Sequence, residues 1–256
     1  MSRQQPLHLE DTPATSPDRE PPLLLLHGAL GSMREWDLIR PLFADRRTIA
    51  LDFPAHGGSQ ETDAQNALTT KDLARIVITE LDSAGVIEVD ILGYSLGGYV
   101  AIEIALIRPQ LVRSIVSHAM KFYWSDEAIE SALAGLDWAT LSISEKRVRK
   151  LNATHHTAGG EACARCSREL IRSFMKQQLT PSDLHLLDAP LLISAGDHDE
   201  LVPLSELLKL YQALGADRAS LSVFPATRHP IGLIDPTLLH QVVTHFWKSN
   251  ICHHAH

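Results

Sequence analysis

The chain has 256 residues, 45% of them hydrophobic and 21% charged, which suffices for a large core and rules out disorder throughout. Its 23 Lys and Arg stand against 31 Asp and Glu, a formal net charge of −8 with no basic tract, so nucleic acid is excluded as an expected partner. The longest apolar run, at 21–26, is far short of a membrane span, and no membrane association is expected. The N-terminus lacks the layout of a signal peptide. Three cysteines (Cys163, Cys166, Cys252) make no disulfide framework, and together these features predict a cytoplasmic protein.

The first 20 residues hold four acidic residues and three prolines; 7–9 are expected as a short edge strand and 12–18 as a turn. Strand-like runs follow at 23–26, 47–51, 89–93, 114–117, 191–195 and 220–224. Several lack polar alternation, as strands buried on both faces of a parallel sheet do. Between them lie helical stripes. Leu73, Ile76, Val77, Leu81 and Ala84 end at Gly85, and Val100, Ile104 and Ile107 stop at Pro109. Leu207, Leu208, Tyr211 and Leu214 close at Gly215, and Leu238, Leu239, Val242, Val243 and Phe246 form a C-terminal helix. The alternation predicts an α/β fold, a mostly parallel central sheet flanked by helices.

From about 122 to 187 the alternation breaks. Helices capped by Ser125 and Ser144, and a third opening at Gly160 and running to about 178, are expected there, with no strand. The chain is therefore divided into a core at 21–120 and 188–256 and a helical lid at 121–187. Residues 121–180 carry nine Lys/Arg against seven Asp/Glu, a mild positive excess expected on solvated helix faces.

The strongest local signal is Gly93-Tyr94-Ser95-Leu96-Gly97-Gly98, after a strand-like run and before a helical stripe. This is the context a G-x-S-x-G nucleophile elbow requires. The turn is so tight that side chains two positions either side of the serine clash, hence Gly93 and Gly97. A serine hydroxyl is a weak nucleophile and needs a base, which needs an orienting acid. The chain order serine, acid, histidine is met by Ser95, by the loop Gly196-Asp197-His198-Asp199, and by Arg228-His229-Pro230.

With these residues the chain resembles alpha/beta-hydrolase-fold serine hydrolases from residue 23 to 246. Four pieces carry the resemblance: His27-Gly28 after the first strand, Asp52-Phe53-Pro54-Ala55-His56-Gly57-Gly58-Ser59, the elbow, and the two late loops. The resemblance implies Ser95 as nucleophile, His229 as base and Asp199, three after Gly196, as acid, with Asp197 its rival. It implies an oxyanion hole of the Ala29 and Leu96 amides. Ala55 and Arg228 stand where the family usually has glycine. The turn at 52–59 is expected to be structural, and His27 to organise the oxyanion loop.

His118, Phe122, Tyr123, Trp124 and Trp138 are expected near the substrate. His155-His156 and the C-x-x-C of Cys163 and Cys166 lack a second ligand pair, so no metal is expected. No cofactor motif is present, and the tail at 252–256 reads as a frayed end. The expected activity is carboxylesterase-like hydrolysis of a small ester, a small-molecule substrate, through an acyl-enzyme. The alternatives are a carbon–carbon bond hydrolase of the meta-cleavage-product type, a thioesterase or a lactonase. A non-catalytic receptor or scaffold on the same fold is the reading from another class. The serine at the elbow disfavours dehalogenase and epoxide hydrolase chemistry, which needs a carboxylate there.

Overall fold

The computed structural model describes residues 6–16, 20–61 and 68–251; Cys252 and the rest of the tail, and Pro17 and Asp18 of the expected turn, lie outside them. Seven strands form one sheet: β1 (Leu9–Thr12), β2 (Leu23–Leu26), β3 (Thr48–Leu51), β4 (Val89–Tyr94), β5 (Val112–His118), β6 (Leu191–Gly196) and β7 (Ala219–Phe224). Their order is β1-β3-β2-β4-β5-β6-β7, with β1 antiparallel and every other pairing parallel.

The apolar runs have two faces to fill. Leu24 and Leu26 of β2 point into one core with Ile49, Ile91, Ile115 and Ile193, while Leu23 and Leu25 point into the other with Ala50, Leu92, Val116 and Leu192. All four leucines of β2 are fully buried. The first core is closed by α1 (Thr70–Ser83), α2 (Leu96–Ile107) and α8 (Leu204–Leu214), the second by α9 (Pro236–Ile251) with Trp36 and Phe43. A capping box between Thr69 and Asp72 starts α1.

Chain direction explains where the crevice lies. After β2 the chain crosses to β3, and after β4 to β5, so the loops leaving the adjacent strands β2 and β4 part at their C-terminal ends. Such a switch point opens a ligand crevice. Because Leu26 pairs with Gly93, residues 27–29 run beside 94–96.

Between β5 and β6 lie five helices: α3 (Asp126–Gly135), α4 (Trp138–Leu141), α5 (Glu145–Thr154), α6 (Gly160–Ser173) and α7 (Pro181–Leu184). Ser125 and Ser144 cap α3 and α5 as expected, and Gly160 opens α6. Three details are corrected. The two one-turn helices α4 and α7 escape a periodicity test because four residues show no repeat, and α6 ends at Ser173. The edge strand runs from Leu9 to Thr12, not over 7–9, because its backbone pairs with β3 there, and Glu10 and Asp11 reach Arg40 and Arg47 at 2.8 and 2.6 Å.

Candidate active site

Ser95 sits between β4 and α2 with φ +52° and ψ −114°, a conformation disfavoured for any residue with a side chain. The surroundings enforce it. A Cβ on Gly93 would lie 2.4 Å from the Gly97 carbonyl oxygen, and one on Gly97 would lie 2.2 Å from that of Leu26. The Ser95 amide donates to the His118 carbonyl at 2.8 Å, tying the elbow to β5. Leu96 opens α2, so its N–H has no partner inside the helix.

The loops after β6 and β7 cross at Gly196, where a Cβ would meet the Thr227 carbonyl oxygen at 2.0 Å. This close passage brings Asp199 to His229: His229 Nδ1 lies 3.0 and 2.9 Å from the two carboxylate oxygens. Asp199 is 7% exposed and also accepts the Leu201 and Val202 amides at 2.9 and 2.8 Å. Asp197 points elsewhere and accepts the Thr227 amide at 3.2 Å, bracing the histidine loop. Desolvation is the largest single influence on its carboxyl and raises it, but the Ala226 and Thr227 amides, His198 and its own amide together hold it below the usual carboxylate range. Arg228 extends outward and pairs with Glu200 at 3.1 Å.

The backbone at 28–31 is held almost completely. Phe53 N–H donates to His27 Nε2 at 3.0 Å, which leaves His27 Nδ1–H to donate to the Gly28 carbonyl at 2.8 Å. Gly31 N–H donates to the same carbonyl at 3.1 Å. In a trans peptide the next N–H points opposite to its carbonyl, so these two bonds turn the Ala29 amide away from them. Gly28 N–H donates to Glu35 Oε2 at 3.0 Å and Leu30 N–H to Ser167 Oγ at 3.4 Å. Among the described residues the Ala29 amide has no acceptor of its own. Burial pushes the Glu35 carboxyl up to about 7 and holds His27 below the usual imidazole range.

Ser95, Leu96, Ala29 and His229 line one cavity of about 510 Å3. No Ser95–His229 hydrogen bond is made among the described residues, and such bonds commonly tighten only with substrate bound. The walls are largely apolar: Trp124, Tyr99, Leu136, Ile171 and Phe174 enclose it, the last four from α2 and from the helices between β5 and β6 with their flanks. Its lining includes the charged residues Lys121 and Glu200. Lys121 pairs with Glu206 at 3.0 Å.

Of the five expected pocket residues, Trp124 alone lines this cavity. His118 is buried, within 3.0 Å of Ser194 Oγ and packed against Tyr94 and Phe224; burial pushes its pKa down to about 4. Phe122 turns into the core, Tyr123 packs against it and under Lys209, and Trp138 joins the small cluster of Leu141, Leu151 and Ala164. Consecutive residues leaving a strand point in different directions, so nearness in sequence to β5 does not give a shared pocket face.

Other contributors carried no sequence signal. Tyr94 O–H donates to the His229 carbonyl at 3.1 Å, and His229 N–H donates to Glu200 Oε2 at 3.2 Å. Tyr94 is an unspecified position of the elbow motif, and Glu200 was one of three acidic residues in its loop. Cys163 and Cys166 lie on α6, where Cys166 Sγ donates to the Pro54 carbonyl at 3.3 Å. No helix among the described residues is long and apolar enough to cross a membrane.

Three similarities bear on this arrangement. Over 95 residues, 37% of this chain and 25% of the relative, the sequence is 37% identical to the dihydrolipoyllysine-residue acetyltransferase component of the acetoin cleaving system of Pseudomonas putida. Over 85 residues, 32% of this chain and 31% of the relative, it is 36% identical to the 2-succinyl-6-hydroxy-2,4-cyclohexadiene-1-carboxylate synthase of Pectobacterium atrosepticum. The chain thus spans a third or less of the length of these two curated relatives. In three dimensions it is similar to a thermophilic esterase from Thermogutta terrifontis, with a TM-score of 0.76, 18% identity, and coverage of 95% of this chain and 93% of the other, a likeness of fold. The alpha/beta hydrolase fold family matches residues 21–157, more than half of the sequence, and the chain belongs to that family.

Proposed function

We propose that the protein is a serine hydrolase that cleaves a small, uncharged ester through an acyl-enzyme. The observation that carries this reading is the convergence on one cavity of Ser95, the Asp199–His229 pair and two amides that have no acceptor among the described residues. Ser95 Oγ attacks the ester carbonyl while His229 Nε2 takes its proton. Asp199 keeps Nδ1 protonated and steadies the imidazolium. The Ala29 and Leu96 amides receive the oxyanion, each worth about 3–4 kcal/mol in reactions of this type. The His229 proton passes to the leaving alcohol, and water activated by the same imidazole releases the acid.

The cavity supports an uncharged acyl group. Its size suits a small ligand, its walls are apolar, and Lys121 and Glu200 are already neutralised by Glu206 and Arg228. A substrate related to the carboxylate named for the synthase relatives would bring a charge that meets, among the described lining residues, only a lysine already paired with Glu206. In this reading 121–187 form a lid on a core of 21–120 and 188–256, and Trp124, Leu136, Ile171 and Phe174 supply its apolar underside.

The test is fluorophosphonate labelling of the full chain alongside turnover of short p-nitrophenyl esters. Wild type is expected to label and turn over, and Ser95→Ala to lose both. Asp199→Asn is expected to lower kcat by about 10³–10⁴ and Asp197→Asn far less. A folded wild type that neither labels nor turns over any ester would sink the proposal and favour a binding role.

A further inference from the structure

We infer that His155 and Ser167, on the helical segment between β5 and β6, are positioning residues for the oxyanion hole, holding the peptide units on either side of Leu30. This rests on the serine-hydrolase reading above and deepens it.

The two residues lie 125 and 137 positions from Leu30, yet between them they hold both of its backbone groups. His155 Nε2 is 3.2 Å from the Leu30 carbonyl, and Ser167 Oγ accepts the Leu30 amide at 3.4 Å. Leu30 has φ +56°, a left-handed conformation costly for a branched side chain. Such a residue persists where its surroundings over-determine it, and here the determinants come from α5 and α6.

The protonation states follow from the donors. Gly57 N–H donates to His155 Nδ1 at 3.0 Å, so the remaining proton sits on Nε2 and is donated to Leu30. His56 Nδ1–H donates to the Pro54 carbonyl at 2.8 Å, which leaves Nε2 to accept the Ser167 hydroxyl at 3.1 Å and frees the Ser167 lone pairs for the Leu30 amide. His155 and Ser167 are fully buried. Burial pushes His155 down to about 4 and His56 well below the usual imidazole range, so both stay neutral near pH 7.

The consequence concerns the preceding peptide. The Gly28 carbonyl, held by His27 and Gly31, sets the direction of the Ala29 amide; Gly31 reaches back through a turn whose inner residues are Ala29 and Leu30. Releasing Leu30 lets that turn relax toward negative φ and swings the Ala29 N–H away from where the oxyanion forms. The ground-state ester makes no demand on that amide, so the loss appears in the transition state. The Asp52–Gly58 turn shares the clamp through Gly57, which links the sheet, the oxyanion loop and α5 at one point.

The test compares full-length wild type with His155→Leu, His155→Gln and Ser167→Ala. The readouts are p-nitrophenyl butyrate kinetics and inhibition by butylboronic acid, which forms a tetrahedral adduct on the serine oxygen. His155→Leu and Ser167→Ala are expected to lower kcat about tenfold or more, to leave KM within about twofold, and to weaken the boronic acid by a factor similar to kcat. His155→Gln keeps a donor for the Leu30 carbonyl and is expected to recover most of the loss. If His155→Leu does not fold, Ser167→Ala, which removes one oxygen, carries the test. Folded variants with wild-type kcat and boronic-acid affinity, or a Gln variant no better than Leu, would overturn the inference while leaving an active, labelled wild type in place. An inert, unlabelled wild type would instead remove the serine-hydrolase reading and this inference with it.

Discussion

The sheet and the helices between β5 and β6 hold their shapes by different means. In the central strands β2 to β6 nearly every side chain on both faces is buried, and the ladder leaves the backbone little freedom. Strain is therefore tolerated at its rim: Leu30, Ala55, Ser95, Ala119 and Ala226, all five of the non-glycine residues with positive φ among those described, directly follow or lie a few residues beyond a strand end. Of the intervening helices all but the 14-residue α6 have ten residues or fewer, and α3, α4, α5 and α7 each start at a side-chain cap, from Ser125, Asp137, Ser144 and Thr180. Their local cluster is small, Leu141, Leu151 and Ala164, and the rest of their apolar surface leans on the main core or faces the cavity. Ser95 is strained where the sheet over-determines it and Leu30 where His155 and Ser167 hold it, and much of the apolar cavity wall comes from helices with only a small cluster of their own.

Three measurements sharpen this contrast. The largest effect is expected at the elbow. Gly97→Ala pushes a methyl group to within 2.2 Å of a β2 carbonyl that the ladder cannot release, and should cost about 3 kcal/mol or more in a denaturant titration, with loss of fluorophosphonate labelling. A wild-type midpoint would show that the rim is more compliant than the sheet suggests.

Next comes acid. His118 in β5 and His155 at the end of α5 are buried neutral, each with its pKa lowered from 6.5 to about 4. The unfolded chain takes up a proton at each below pH 6.5 and the folded chain does not, so stability falls as pH drops toward 4. Each group accounts for about 3 kcal/mol over that window. Glu35, raised from 4.5 to about 7, acts oppositely and adds stability as pH falls from 7 to 4.5. The lowered His27 and His56 act with the first pair, so the sum favours loss in acid. Urea midpoints at pH 7, 6 and 5 should decline, and His118→Asn should flatten the slope. A midpoint that rises on acidification would contradict the burial assigned to these imidazoles.

The smallest effect is expected in the helices. Ser144→Ala removes one cap on α5 and should cost about 1 kcal/mol or less, with ester turnover unchanged, since the cap touches neither the cavity nor the His155 clamp. A large loss of turnover there would mean that α5 transmits more to the site than its hydrogen bonds suggest.

Much of the sheet was legible in the order of residues because buried parallel strands need unbroken apolar runs. Leu23–Leu26 admits little else, and the strand-like runs at 191–195 and 220–224 fall within β6 and β7. The elbow was legible for a similar reason, since only glycine fits at 93 and 97. Both rules act over a few residues. The edge strand was misplaced because its position depends on pairing with β3, about forty residues away.

The sequence by itself determined the layered α/β architecture, the elbow and the loops that carry Asp199 and His229, because each rests on local sterics or on burial patterns with a short period. The tertiary structure alone decided that Trp124 and not its neighbours faces the cavity and that His155 and Ser167 clasp Leu30, and it seats Asp199, which the resemblance already favoured over Asp197, against His229. Each is a matter of direction between chain segments far apart in sequence. A side chain's direction is set by the packing of both partners, which no single segment contains.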